Sequence, residues 1–219
     1  MEAARHYKAV GHQTLPKILA CDVARFGDDQ SVFGIRQGRK YQQLEKFRGK
    51  PTDFIGERVI HWIRTLAPDA TVVDGDGLGA GVCDHCTARG FRVFEFHGGA
   101  ASHDPAAYFN RRTEVWAALK GWLISGAEIP DDAELAADLT GPQFDYAQGK
   151  RSHGTLALEH KDLMKKRGLN SPDCGDTLAM TFGVQVAPKE PEEEPQVLTI
   201  PGPGDWMGSS GCATSYGRK

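Results

Sequence analysis

Between positions 17 and 96 the apolar residues change period several times, and that alternation restricts the chain to few folds. Residues 18–24, 31–37 and 41–47 read as three strands of an antiparallel meander, joined by Gly27-Asp28-Asp29 and Gly38-Arg39-Lys40 turns. Residues 53–66 then carry Phe54, Ile55, Val59, Trp62, Ile63 and Leu66 at helical spacing, with Thr52 or Asp53 as N-cap and Pro68 as a stop. The run Thr71-Val72-Val73 suits a strand buried on both faces, 77–88 a glycine-rich turn entering a helix, and 91–96 a further strand. A hairpin start followed by strand–helix alternation predicts an α/β layer fold. Its sheet is mixed, an antiparallel hairpin start plus parallel strands, with helices on both faces.

Further along, residues 106–125 form the longest expected helix, with Tyr108, Val115, Trp116, Leu119, Trp122 and Leu123 as its apolar stripe and Gly126 as its end. A shorter helix over 132–139, a hairpin pairing 143–146 with 155–159, and a last helix from Ser171 to about Val186 complete the domain, placed at 1–187. From 188 to 219 the chain turns to Pro/Glu and then Pro/Gly sequence, too poor in apolar residues to order itself, which predicts a flexible tail. No apolar run approaches the ~18 residues that a membrane span needs, and no signal-peptide pattern opens the chain. A soluble intracellular protein is expected. The five cysteines are an odd, scattered set, and Cys83-x-x-Cys86 lacks a second ligand pair at zinc spacing, so they read as core thiols. A net charge of −3 argues against nucleic-acid binding through a basic surface, although basic residues gather at Arg111-Arg112, Lys150-Arg151 and 161–167.

The chemistry rests on acids. Asp22 follows one apolar run, Asp74 follows another, and Asp176 lies just inside the last helix. Carboxylates at strand ends and a helix start suit Mg²⁺ or Mn²⁺, hard ions that take oxygen ligands and retain waters. The Gly27-Asp28-Asp29 turn returns an acid toward Asp22, or is simply a polar turn. The glycine-rich stretch 75–81 could cradle phosphate, but the chain has no GxxxxGK[ST], and Gly149-Lys150 is followed by Arg151. With Ser171 as N-cap and Pro172 at the first helical position, Asp173 falls in the first turn, where the helix dipole favours an acid. Asp176 follows three residues later on the same face. It sits in an apolar stretch and needs a compensating partner, which ranks it above Asp173 as a metal ligand.

Four segments in this order, Asp22-Val-Ala-Arg-Phe-Gly-Asp-Asp, Val73-Asp-Gly-Asp-Gly-Leu-Gly-Ala-Gly-Val, Phe109-Asn-Arg-Arg-Thr-Glu-Val-Trp and Ser171-Pro-Asp-Cys-Gly-Asp-Thr-Leu, resemble the C-terminal nuclease domain of tailed-bacteriophage terminase large subunits. That family belongs to the ribonuclease H-like superfamily. The resemblance covers most of 17–186 and departs from the family at Gly175-Asp176-Thr177-Leu178, where Ala-Asp-Ala-Leu is common, and at Cys86, where an apolar residue is common. Neither departure removes a carboxylate.

The resemblance implies a divalent-metal-dependent endonuclease cutting double-stranded phage DNA during genome packaging, using two Mg²⁺ or Mn²⁺ ions and little sequence specificity. Asp22, Asp74 and Asp176 would be its catalytic acids, and Asp29 an auxiliary ligand. Lys161, Arg111 and Arg112 are candidate contacts to DNA phosphates. The implied partners are an ATPase domain, absent from this sequence and making the chain an isolated domain or a fragment, a small terminase subunit and a portal, in the host cytoplasm. Two other readings compete: an actin- or sugar-kinase-like phosphotransferase, and a DNA-gripping module of a packaging motor whose acids are only structural.

Overall fold

The computed structural model describes residues 2–6, 8, 14–24, 29–147 and 154–187. After a short helix α1 (Glu2–His6) come β1 (Lys17–Asp22), β2 (Ser31–Gln37), β3 (Lys40–Phe47), α2 (Thr52–Leu66), β4 (Ala70–Asp74), α3 (Gly79–Ala88) and β5 (Phe94–Phe96). The second half contains α4 (Arg111–Ile124), α5 (Ala133–Thr140), β6 (Phe144–Tyr146), β7 (Leu156–Leu158), α6 (Lys161–Lys166) and α7 (Asp173–Met180). Five strands form one sheet in the order β3-β2-β1-β4-β5, antiparallel across β3-β2-β1 and parallel across β1-β4-β5, which is the mixed sheet expected from the periodicities.

Strand alternation sends successive side chains to opposite faces and so divides the apolar residues between two cores. Ile18, Ala20, Val32 and Val72 pack against α4, α5 and α7 through Trp116, Leu119, Leu135 and Leu178. Cys21, Phe33 and Val73 pack against α2 and α3 through Ile55, Val59, Ile60, Val82, Cys83 and Cys86. The Cys83 and Cys86 thiols are therefore core groups, buried with those of Cys21 and Cys174. In the β1–β4 register the last pair is Cys21 with Val73, so Asp22 and Asp74 stand one step beyond it at the ends of adjacent parallel strands. Asp22 is in phase with Ile18 and Ala20, and Asp74 with Val72, so both side chains leave the sheet toward α4 and α7.

Several boundaries differ from the sequence reading. The helix expected at 106–125 begins at Arg111, because the Asn110 side chain accepts a hydrogen bond from Thr113 N at 2.9 Å and caps it there. β5 is limited to Phe94–Phe96. The last helix stops at Met180, where the 181–184 segment turns. Its N-cap is Pro172, not Ser171, and α2 is preceded by Pro51 with no side-chain cap. Helices α1 and α6 were not anticipated; at six residues or fewer, neither is long enough to show helical periodicity. Asp28, the 148–153 connection and the 188–219 tail lie outside the described residues. Among the described residues no helix is long and apolar enough to cross a membrane.

Candidate metal centre

Asp22, Asp29, Asp74, Asp176, Arg112 and Lys161 share the wall of one open cleft of about 420 Å³ at the C-terminal ends of the parallel strands. Asp22 is 6% exposed, and its Oδ2 is buried with no hydrogen-bond partner. Burial pushes its carboxyl well above the ordinary range; nearby Lys161 opposes the shift, while Asp74 and Asp176 add to it. Asp74 is pushed up by burial as well, against a hydrogen bond from Asp76 N to its Oδ1 at 3.1 Å.

The glycine-rich turn after β4 serves Asp74 directly. A Cβ on Gly79 would lie 1.5 Å from the Asp74 carbonyl oxygen, so α3 can start where it does only with glycine there. The turn is closed on its far side by Asp76, whose Oδ1 is 2.9 Å from His97 Nδ1 and whose Oδ2 accepts from Gly98 N at 3.2 Å.

Asp176 has the partners that its buried position demands. Its Oδ1 accepts from Arg112 Nε at 3.0 Å and Trp116 Nε1 at 2.7 Å, and Lys161 Nζ lies 2.9 Å from Oδ2. Burial opposes its charge, but Arg112 and Lys161 prevail and hold the carboxyl at about 2. Burial likewise opposes the Lys161 ammonium, and Asp176 and Asp22 outweigh it, keeping its pKa above the usual lysine range. Trp116 packs in the core as the apolar stripe of α4 predicts, and its indole N–H aimed at a carboxylate leaves no trace in apolar spacing.

The remaining candidates sit at the margins. Asp173 accepts from Gln30 N at 2.9 Å and is pushed up to about 6, chiefly by burial. It lines a neighbouring groove that shares Asp29, Lys165 and Ser171 with the cleft. Asp29 lies 3.8 Å from Lys165 Nζ. Arg111 is committed elsewhere, with Nη1 2.7 Å from Glu114 and Nη2 donating to the Gly183 carbonyl at 2.8 Å.

Among the described residues, no three His, Cys, Asp or Glu side chains are gathered tightly enough to grip a metal ion as they stand. The donor set nevertheless fits a divalent cation. The Asp22 oxygen is buried and unpartnered, and the Asp176 oxygen is turned toward a positive charge, as hard oxygen ligands of Mg²⁺ or Mn²⁺ would be.

The sequence matches no family model and no curated protein. Solved structures do match. A mutant of the gp2 large terminase subunit fragment of bacteriophage Sf6, with calcium, is 20% identical with a TM-score of 0.64, over 83% of this chain and 95% of that one. The large terminase nuclease of thermophilic phage G20c with bound magnesium is 14% identical with a TM-score of 0.56, over 81% and 89%. The nuclease domain of the Thermus phage P74-26 large terminase is 15% identical with a TM-score of 0.55, over 77% and 78%. With its five-stranded mixed sheet and a cleft of acids at the strand ends, the chain has the ribonuclease H-like fold of the nuclease domains of phage large terminase subunits.

Proposed function

We propose that the chain is a divalent-metal-dependent endodeoxyribonuclease, the nuclease part of a phage terminase large subunit. It would cut double-stranded DNA during genome packaging in the host cytoplasm, with little sequence specificity. The observation that carries this reading is the convergence of Asp22 and Asp74, from adjacent strand ends, with Asp176 on one cleft. Solved neighbours hold manganese, magnesium or cobalt, which supports a divalent ion here.

Asp22, Asp74 and Asp176 would hold two Mg²⁺ or Mn²⁺ ions, with Asp29 and Asp173 as outer ligands. When bound, such ions supply an activated water and stabilise charge on the scissile phosphate and the leaving 3′ oxygen. The chain's own groups do the positioning. Arg112 and Trp116 fix Asp176 through Oδ1 and leave Oδ2 to Lys161. Lys161 balances the clustered acids and would meet a backbone phosphate from the cleft wall; Arg112, held by Asp176 and the Glu159 carbonyl, would add charge to the same wall, and such contacts position DNA without reading its sequence. Arg111 orients the start of α4 through Glu114 and Gly183. The ATPase domain, small subunit and portal follow as partners from this reading.

The phosphotransferase reading would need the glycine-rich turn to cradle phosphate, and Gly79 of that turn instead lies against the Asp74 carbonyl. The gripping-module reading is separated by experiment. Plasmid cleavage is compared in Mn²⁺, Mg²⁺ and EDTA for the unaltered chain, Asp22→Ala and Asp74→Ala, with circular dichroism confirming that all are folded. Metal-dependent cutting by the unaltered chain, lost in both variants, is the expected result. Absence of cutting in either metal would overturn the nuclease reading.

A further inference from the structure

Helix α7 carries two acids of the site, yet its own N-terminus lacks a side-chain cap. Four N–H groups at a helix start need acceptors, and a buried start without them is costly. The acceptor comes from another helix. Asp138, on α5, takes the N–H groups of Cys174 at 2.8 Å and Gly175 at 3.2 Å through a single oxygen, Oδ2.

One turn earlier on the same face of α5, Glu134 accepts from Gln30 Nε2 at 2.5 Å, and the backbone N–H of Gln30 donates to Asp173 Oδ2 at 2.9 Å. Glu134 is tied to the sheet edge by Lys46 of β3 at 2.6 Å. The fit around α7 is close: a Cβ on Gly175 would lie 2.8 Å from Trp116 Cη2 and 3.2 Å from Asp138 Cβ. Trp116 in turn donates to Asp176.

We infer that α5 is the bracket that sets the two carboxylates of α7, with Asp138 and Glu134 as positioning residues: Asp138 fixes the first turn and so Asp176, and Glu134 fixes Asp173 through Gln30. The inference rests on the metal-site reading of Asp173 and Asp176. Neither α5 residue touches Asp173 or Asp176 directly: Asp138 acts through the backbone N–H groups of Cys174 and Gly175, and Glu134 through the side-chain amide of Gln30, whose backbone N–H meets Asp173.

The test uses a reporter that needs neither metal nor cutting. The chain has four tryptophans, so the indole N–H signal of Trp116 can be assigned in a ¹H–¹⁵N spectrum of the metal-free chain by its loss in Trp116→Phe. In Asp138→Ala the signal is expected to move upfield as its bond to Asp176 loosens, and Mn²⁺ affinity, followed by electron paramagnetic resonance, to fall about tenfold. Asp138→Asn keeps an acceptor oxygen and is expected to keep the signal in place.

A folded Asp138→Ala chain with an unmoved Trp116 signal would overturn the inference. Should that variant fail to fold, Glu134→Ala decides. Its side chain is 41% exposed, and its loss must shift the Gln30 amide signal; an unmoved Gln30 amide counts against the bracket. Because these signals are read without metal, a shifted Trp116 in a chain that never cuts DNA would refute the nuclease reading while leaving the bracket intact.

Discussion

Lys161 and Asp176 face each other at 2.9 Å across the cleft, an ammonium from the first residue of α6 against a carboxylate from α7. The lysine is the internal counter-ion of an acid cluster in which Asp22 and Asp74 lie close by. The Lys161 side chain is 37% exposed, so the pair contributes about 1 kcal/mol, not the larger loss expected of a fully buried pair.

Lys161→Met should therefore lower the metal-free melting temperature by about 2–4 °C. It should also enlarge the rise caused by Mn²⁺, because the ion then supplies charge that the lysine no longer provides. Scanning fluorimetry with and without Mn²⁺ checks this. Identical melting behaviour in the two chains would remove the counter-ion role.

Asp22 presents the opposite case, a buried oxygen with no partner. Asp22→Asn keeps the shape and removes a charge that burial disfavours. The variant is expected to be more stable than the unaltered chain in EDTA, by about 1–2 kcal/mol, and inactive toward plasmid DNA, as a site strained for function would be. Urea unfolding in EDTA measures the first part. A destabilised Asp22→Asn would mean that the carboxylate has a structural partner.

Two glycines of α3 separate close approach from mere helix position. Gly79→Ala places a methyl group 1.5 Å from the Asp74 carbonyl, a clash with backbone that should cost about 3 kcal/mol or more or prevent folding. At Gly81 the nearest atom is Thr52 Oγ1 at 3.8 Å, so Gly81→Ala should be neutral or stabilising by up to about 1 kcal/mol from helix propensity. Thermal melts of the two variants provide the comparison, and equal effects would contradict the requirement for glycine at the start of α3.

Burial pushes Asp138 up to about 7, against the two N–H bonds that it accepts. A folded-state carboxyl above its unfolded value holds a proton that the unfolded chain has released, so stability falls as pH rises from about 4 to about 7. Asp173, pushed up to about 6, adds in the same direction. Asp176, held at about 2, gives stability that is lost only as pH falls below about 4, outside that window. The metal-free chain should thus melt lower at pH 8 than at pH 5. Asp138→Asn should flatten the dependence between these two pH values, by up to about 3 kcal/mol. Chemical denaturation at the two pH values tests the sign, and an unchanged slope in the variant would exclude Asp138 as its source.

Local sequence determined the sheet and pointed to much of the candidate site. Apolar runs bounded by turn residues located β1 to β4, and period-3.6 spacing located α2 and the core of α4, because burial imposes its pattern on the sequence whatever the partner. The ends of those runs located Asp22 and Asp74, and the lone acid in an apolar helix located Asp176. The local signals failed where a contact crosses the fold: the donors from Trp116 and Arg112 to Asp176, the lysine of the six-residue α6 drawn to the same carboxylate, and the cap supplied to α7 by Asp138 from 36 residues away. The sequence by itself thus determined which residues must be buried and which acids could not be left alone, since both follow from solvation at a single position. Only the tertiary structure decided which partners those acids acquired, because hydrogen bonds between distant segments depend on how α4, α5, α6 and α7 close over the sheet, and local periodicity carries no record of that closure.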